Sequence, residues 1–275
     1  MNKKWVSYPY LIWMVIFIVI PSFLILFYAF TVKDDQGIRL TLDNFYRFLD
    51  PIFISVLFKS LWLALLSTAV CLVIGYPVAL ILASREYGKR TIMSMLFIIP
   101  MWMNFLLRTY AWLTLLEKHG IINSVLSFLH LPNFNILYTN GAVVLGMVYN
   151  FLPFMILPIY TVLMKIDTKL VEAAQDLGGN SFTVFRRVTL PLSIPGVMSG
   201  LTMVFMPAVT TFVISKLLGG GQYTLIGNLI ERQFLTVYDW NFGAAISIIM
   251  MIFILISIGI MSRFDEDKGG GAALW

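Results

Sequence analysis

The chain has 275 residues, of which 59% are hydrophobic and 12% charged, with a net charge of +5. Soluble domains carry about 25% charged residues, so this composition excludes an ordinary soluble domain. The basic residues form short clusters between apolar runs instead of a stripe on a polar face, which argues against a nucleic-acid partner. The single cysteine, Cys71, lies inside an apolar run, so there is neither a disulfide framework nor a zinc pattern.

Six apolar stretches are each long enough to cross a bilayer as a helix, which takes about 20 residues. They cover residues 9–30, 61–83, 91–113, 141–164, 196–218 and 242–261. Backbone groups in lipid must be hydrogen-bonded within their own segment, so we predict an all-α membrane protein with one transmembrane domain over 1–275. The first stretch is too long for the apolar part of a signal peptide, and no cleavage site follows it, so we expect a retained span.

Lysine and arginine residues are distributed unequally between the two sets of loops. If the N-terminus is cytoplasmic, eleven of them fall inside and six outside, while Arg108 and Lys216 fall within spans. The positive-inside rule therefore predicts that both termini are cytoplasmic. Two interpretations of Arg108 and Lys216 stay open. Their charged ends reach the outer membrane interface, or they line the outer mouth of a pathway.

No acidic residue lies within the six stretches. Proton- and cation-coupled carriers commonly bury one, so its absence counts against a secondary transporter without excluding it. No His, Asp and Ser residues converge within the spans, which counts against a membrane-embedded enzyme, and we predict no catalytic and no metal-binding residue. Five prolines within spans either kink their helices or are merely tolerated there: Pro77, Pro100, Pro153, Pro158 and Pro207.

The loop over residues 165–195 is the long cytoplasmic segment in this topology. Asp167 or Thr168 is expected to cap a short helix, which ends at Gly178 and Gly179. Four apolar residues fall on one face of that helix: Leu170, Ala173, Ala174 and Leu177.

A second short helix is expected to follow the two glycines. Asn180 or Ser181 would cap it, Phe182 and Phe185 would lie on one side, and Pro191 would end it. Such a helix pair either docks into a groove on a partner or lies on the bilayer surface, and the shape alone leaves both possibilities open.

The run Glu172-Ala173-Ala174, followed by Gly178 and then Leu190-Pro191, resembles the EAA loop of binding-protein-dependent ABC importer permeases. In that family the loop is the coupling helix that inserts into the nucleotide-binding subunit. The resemblance implies a six-span, type I importer-like permease bundle. It also implies that seven residues couple the chain to an ATPase: Glu172, Ala173, Ala174, Gly178, Phe182, Phe185 and Pro191.

Further motifs resemble the spermidine/putrescine permease subfamily, and within it the first of two permease subunits. They are Trp102-x-Asn104 with Arg108-Thr109-Tyr110-Ala111-Trp112, Gly146-Met147-Val148-Tyr149 with Leu152-Pro153-Phe154, and Ile226-Gly227-Asn228 with Gln233-Phe234, Asp239-Trp240 and Phe242-Gly243-Ala244-Ala245. Asn241 stands where the family has proline. The resemblance implies polyamine translocation across the bacterial plasma membrane by alternating access. Import of another small solute, or a carrier or channel working alone, remains the alternative.

The partners implied by the resemblance are a second related permease, an ABC ATPase homodimer and an extracytoplasmic polyamine-binding protein, in membrane lipid and without nucleic acid. The chain has no G-x-x-x-x-G-K-[ST] phosphate loop. We therefore expect no cofactor in this chain, with ATP and Mg bound by the partner ATPase. The run 218–222 faintly resembles an ABC ATPase signature, but we expect a flexible outer turn there.

Trp102, Tyr110 and Tyr149 are candidates to contact a polyamine through their ring faces, with packing as the alternative for each. Arg108 would repel a polycation, so we expect either neutralisation by an acid or a direction away from the pathway. The acid would come from the partner permease or from an outer loop, where Glu117 and Asp239 are candidates. Tight selection of the solute is then assigned to the binding protein.

Overall fold

The structure is a computed structural model that describes residues 4–34, 37–84, 95, 97–221 and 223–266. Helices form most of the described chain. Five of them are long and apolar enough to cross a membrane: Tyr8–Ala29, Pro51–Ser84, Asn140–Leu163, Ser181–Thr210 and Trp240–Met261. This confirms the predicted helical membrane protein, because in each of these spans the apolar run is at least as long as the bilayer core requires.

The helices follow one another through short connections. In chain order they are α1 (Lys4–Met14, Val15–Val19 and Ile20–Ala29 in continuous sequence), α2 (Asp43–Phe48), α3 (Pro51–Ser84), α4 (Phe105–Leu116), α5 (Ile121–Phe128), α6 (Asn140–Leu163), α7 (Thr168–Asp176), α8 (Ser181–Val184, Phe185–Thr189 and Leu190–Thr210 in continuous sequence), α9 (Val213–Leu218), α10 (Ile226–Arg232 with Gln233–Val237) and α11 (Trp240–Glu266). The segments Val15–Val19, Phe185–Thr189 and Gln233–Val237 are π-helical.

An antiparallel hairpin follows α1, which the apolar pattern did not predict. Strand β1 (Thr31–Asp34) pairs with β2 (Gly37–Leu40), and Thr31 lies opposite Leu40. Gly37, the first residue of β2, has φ +119°, a conformation that favours glycine. The hairpin is short and its second strand is exposed, so it has no alternating buried face from which a sequence pattern predicts a strand.

The third predicted span differs from one continuous helix. Residues 97–102 are helical, the helix is interrupted at Met103 and Asn104, and α4 begins at Phe105. Asn104 caps α4, because its Oδ1 accepts hydrogen bonds from the backbone N–H of Leu106 at 2.8 Å and of Leu107 at 3.4 Å. Hydropathy does not detect such a cap, since the flanking residues are apolar on both sides. Residues 91–94 and 96 lie outside the described part, so the count of six spans stays a prediction.

The fifth span is predicted over 196–218, and both of these bounds lie later in the chain than the ends of the helix. Helix α8 begins at Ser181, passes through Pro191 and ends at Thr210, and α9 is a separate helix. Pro191 therefore does not end a second short helix, and the predicted loop 165–195 is helical over its last part. The π-helical turn explains the error. Leu190 N–H donates to the Phe185 carbonyl, five residues back, and this wider turn tolerates a proline that has no N–H.

A similar arrangement occurs in α1. The π-helical turn Val15–Val19 is followed by Pro21, and the Ile20 N–H donates to the Val15 carbonyl. Of the five prolines predicted within spans, four lie inside helices that continue past them: Pro77, Pro153, Pro158 and Pro207. Two of the five precede a described interruption: Pro100 precedes the one at Met103, and Pro207 precedes the one at Thr211 and Phe212, where α8 has ended.

The chain divides into two compact units, Met1–Phe58 with Ile226–Ile256, and Lys59–Leu225 with Ser257–Trp275. The first has a small core in which Ala29, Ala244 and Ala245 are fully buried and Phe45 and Phe234 pack against them. Asn241 strengthens this unit, because its Nδ2 donates to the carbonyls of Thr31 at 2.6 Å and Tyr28 at 2.9 Å. Asn241, which stands where the family has proline, therefore ties α11 to the end of α1.

In the second unit, α6 packs closely along α8. A Cβ added to Gly200 would lie 2.8 Å from Met155 Sδ, and one added to Gly196 would lie 2.9 Å from the Pro158 carbonyl oxygen. Gly75 of α3 approaches the same methionine, since its added Cβ would lie 3.0 Å from Met155 Cγ. Small residues thus allow close helix packing, which is how helices associate in lipid.

Candidate functional site

The first helix of the predicted coupling loop, α7, begins as the sequence predicts. Asp167 is its N-cap, and its Oδ1 accepts a hydrogen bond from the Lys169 N–H at 3.0 Å. The cap satisfies one of the backbone donors that a helix start leaves free. The cap therefore fixes the residue at which α7 begins.

A glycine pair ends α7 in a Schellman motif. Gly178 has φ +83°, and its N–H donates to the Gln175 carbonyl at 2.8 Å. The Gly179 N–H donates to the Ala174 carbonyl at 3.0 Å, and a Cβ at Gly179 would lie 2.6 Å from that oxygen. Each glycine is needed for its own reason, Gly178 for its backbone conformation and Gly179 for space. Sequence reasoning found the first requirement and missed the second.

Asn180 connects this turn directly to α8. Its side-chain Oδ1 accepts a hydrogen bond from the Thr183 N–H at 2.8 Å and so caps the helix. We call residues 177–180 the elbow. Because α8 continues to Thr210, the elbow joins α7 to a membrane span and not to a second short helix. Helix α7 is therefore connected to the span itself.

The elbow and its flanks expose large apolar side chains. Leu177 is 89% exposed, Phe182 68% and Leu170 50%. Glu172, Ala173 and Gly178 are exposed beside them, while Ala174 is half-buried. An exposed leucine is common on proteins, but three large apolar side chains exposed in succession on α7, in the elbow and on α8 are typical of an interaction surface.

Phe185 and Pro191 differ from each other in their surroundings. Phe185 is half-buried, and its ring meets that of Tyr76 edge-on with centroids 5.9 Å apart. The Tyr76 hydroxyl in turn lies 2.6 Å from the Ser193 hydroxyl, a buried hydrogen bond. Phe185 therefore anchors the start of α8 to α3, whereas Phe182, predicted on the same side of the helix, is exposed. Pro191 is exposed on α8.

Tyr76 and Ser193 are the residues of this region that sequence reasoning missed. The available signal was a tyrosine and a serine within apolar stretches. A hydroxyl in an apolar bundle needs a hydrogen-bond partner, so each predicts that a partner exists. The sequence does not say that the two partners are each other, because 117 positions separate them.

The four pathway candidates differ in their exposure. Trp102 is 85% exposed, Tyr110 51% and Tyr149 38%, whereas Arg108 is only 8% exposed. Tyr149 packs edge-on against Trp112, with ring centroids 5.2 Å apart, so this pair joins α6 to α4. Trp102 lies before the interruption at Asn104 and Tyr110 after it. The role of these four residues in a substrate pathway stays a prediction.

Arg108 and Lys216 turn out to be in opposite environments. Lys216 is exposed, as the interpretation with a charged end at the membrane interface predicts. Arg108 is buried, and its Nε has no hydrogen-bond partner among the residues that the structure describes. That interpretation therefore does not fit Arg108.

Asp239, a candidate acid for Arg108, is paired within its own unit. Its Oδ2 lies 2.6 Å from Arg47 Nη1, and its Oδ1 accepts the Phe242 N–H at 3.1 Å. The Arg47 guanidinium also stacks over the Phe242 ring at 4.2 Å from the centroid. Asp239 thus caps α11 and fixes α2 to it.

The glycine-rich run near residue 220 is a packed turn. Gly220 and Gly221 have φ +60° and +73°, and a Cβ at Gly220 would clash with the Tyr138 ring. The Tyr138 N–H donates to the Leu218 carbonyl at 2.9 Å. Residue 222 lies outside the described residues. Among those described, no group of His, Cys, Asp and Glu is arranged to hold a metal ion.

Comparison with known proteins relates this arrangement to transport systems. Residues 73–268 match the family described as binding-protein-dependent transport system inner membrane component. The chain is 41% identical over 245 residues to the spermidine/putrescine transport system permease protein PotB of Escherichia coli (strain K12), covering 87% of this chain and 89% of that protein. It is 37% identical over 260 residues to PotB of Haemophilus influenzae, covering 92% and 91%.

The fold is that of solved importer permeases. A chain of a bacterial ABC transporter involved in the import of the acidic polysaccharide alginate superposes with a TM-score of 0.78 at 20% identity, covering 95% of this chain and 96% of that chain. A chain of the MetNI methionine ABC transporter gives 0.57 at 16% identity, covering 80% and 99%. The chain belongs to the binding-protein-dependent transport system inner membrane components, and is a multi-pass permease subunit of an ABC importer and not an enzyme.

Proposed function

We propose that this permease translocates polyamines, spermidine or putrescine, across the bacterial plasma membrane by alternating access. The observation that carries the proposal is the 41% identity to a spermidine/putrescine permease over 245 residues, which covers 87% of this chain. The complex would hold this chain, a second related permease, an ABC ATPase homodimer that binds ATP and Mg, and an extracytoplasmic polyamine-binding protein. Both termini would be cytoplasmic, as the excess of lysine and arginine in the inner loops favours.

Helix α7 with the elbow would transmit ATPase movement to the spans. The exposed side chains of Leu170, Leu177 and the neighbouring Phe182 on α8 support this proposal, because they offer apolar contacts without any loss of the chain's own core. The capped turn and the direct continuation into α8 supply the stiffness that such transmission requires. Glu172, Ala173 and Ala174 lie on the same short helix and are accessible to a partner to different degrees.

The test is transport by the complete complex reconstituted in liposomes. Binding protein loaded with spermidine or putrescine should stimulate ATP hydrolysis and bring the labelled polyamine into the vesicles. Sulfate and methionine, each presented with its own binding protein, serve as control solutes. Stimulation by a different solute, with none by polyamines, would leave the chain an importer permease of another small solute. Uptake without ATP would contradict the importer mechanism itself.

A further inference from the structure

Arg108 is a buried cation without a counter-ion in the described part of the chain. It is 8% exposed, and its Nε is enclosed without an acceptor. The two ion pairs found among the described residues join Arg39 to Asp43 and Arg47 to Asp239, so Arg108 belongs to neither. Asn150 also has an enclosed acceptor without a partner, but its amide is neutral and its Nδ2 already donates to Gly146.

A guanidinium does not lose its charge in proteins, so a buried one needs hydrogen-bond acceptors, and an anionic partner also balances its charge. A buried lysine, by contrast, can become neutral. An unpaired charge in an apolar bundle is among the most destabilising features that a chain can contain. Arg108 therefore indicates that an anion meets it in the assembled protein.

The chain's own candidate acids are placed elsewhere. Asp239 pairs with Arg47, and Glu117 is exposed at the end of α4. Arg108 lies one helical turn before Trp112, whose ring packs against Tyr149 of α6, so the covering on this face is aromatic and apolar. Asn104 and Ala111, one helical turn before and one after Arg108, are exposed, so the surface of α4 beside Arg108 is open to another membrane helix.

We infer that Arg108 pairs with a carboxylate contributed by a membrane helix of the second permease subunit. This inference rests on the proposed function for the existence of that subunit. The planar guanidinium matches a carboxylate with two parallel hydrogen bonds, which fixes the register between the two helices. The pair also removes the repulsion that a bare cation would exert on a polycation. A lipid phosphate has similar chemistry, but it is not held at a fixed place in the complex.

The first experiment is a charge exchange in the complete complex. Arg108→Glu should lower recovery of the purified complex by at least about tenfold, because two carboxylates then face each other. Each acidic residue in the partner's spans is replaced in turn by arginine in that background. Restoration by one such replacement supports the pair. The inference is overturned if none restores the complex, if Arg108→Glu is silent, or if replacing an acid of this chain, such as Asp34, Asp35, Glu86 or Glu117, restores it instead.

The second experiment does not depend on tolerance of a reversed charge. Arg108→Met is combined with neutralisation of the candidate partner acid, and thermal melting of the complex is measured for both single variants and for the double. The double variant should be no less stable than the weaker single one, since both charges are gone. Additive losses would refute the pair. Lys216→Met is the matched control, an exposed cation that should show additive behaviour with the same acid.

Neither measurement requires a transported solute, so the result does not depend on whether polyamines are the cargo. If the chain assembles with a second permease but shows no coupling between the charges, the pair is wrong and the transport proposal is unaffected. If no second permease assembles with it, both are wrong.

Discussion

Two glycines of this chain have the same conformational requirement in different places. Gly178 has φ +83° and Gly221 has φ +73°, and a Cβ at either position would meet nothing within 4 Å. A side chain at either position would therefore be strained by the backbone alone and not by crowding. One lies in the elbow and the other in the turn after α9, so they form a natural pair for separating a local role from a general loss of stability.

Replacing Gly178 with valine should abolish coupling while leaving a folded protein. In the left-handed conformation a β-branched residue is strained by about 1–2 kcal/mol. The elbow relieves this strain by changing the angle between α7 and α8. Transport by the reconstituted complex should fall together with its solute-stimulated ATP hydrolysis. Gly221→Val carries the same strain and should retain transport. Equal losses in both variants would assign the effect to stability, and Gly178→Asn, which tolerates the conformation, should behave nearly as the wild type.

Leu177 gives a second prediction at the scale of a single side chain. It is 89% exposed, so Leu177→Ser removes almost no buried surface and should leave the melting temperature unchanged. The ATPase should nevertheless co-purify less well, because an apolar contact at the proposed interface is lost. Phe128→Ser on α5, where the ring is 83% exposed, is the control and should not alter ATPase recovery. Normal recovery with Leu177→Ser would contradict the interface.

At the scale of helices, the interruption at Asn104 decides whether the third span is one helix or two. Asn104 has φ −55° and ψ 128°, an extended conformation, and caps α4 through its side chain. Helix α4 carries both Arg108 and Trp112, so this cap sets where their side chains lie along the bundle. Whether a substitution at Asn104 raises or lowers the stability of the complex tests whether the span is one helix or two.

Asn104→Ala should destabilise the complex by about 1 kcal/mol, the usual cost of losing a helix cap. In a continuous helix the same change would stabilise, because alanine is the better helix former. Asn104→Ser keeps a capping oxygen and should restore most of the loss. Thermal melting of the purified complex measures all three. A raised melting temperature for Asn104→Ala would show that one unbroken helix crosses this region.

For the whole molecule, the testable property is orientation. Helix α11 extends to Glu266, and the excess of lysine and arginine in the inner loops predicts that its end lies in the cytoplasm. A fluorescent protein that matures only in the cytoplasm should therefore be bright when fused after the last residue, and an exported phosphatase fused there should be inactive. The reverse result would place the elbow outside the cell and exclude its contact with an ATPase.

The sequence predicted the membrane class, the approximate position of most spans and the caps of α7. It did so because apolar length, Asp167 and Gly178 act locally, within a few residues of where they stand. It failed at Pro191 and at Asn104, and it did not find the ring contact of Phe185. In each of these cases the outcome depends on a wider helical turn, a side-chain cap or a ring on a distant helix. The pairing of Tyr76 with Ser193 likewise required the fold.

The continuity of α8 has a mechanical consequence. Ser181–Thr210 contains 30 residues, which at about 1.5 Å per residue makes a rod about 45 Å long. Such a rod acts as a lever, since a tilt of about 5° moves its far end by about 4 Å. A small rotation imposed at Phe182 would therefore become a displacement near Thr210 comparable to the width of an ammonium group. The amplitude of gating would then be set by the length of one helix.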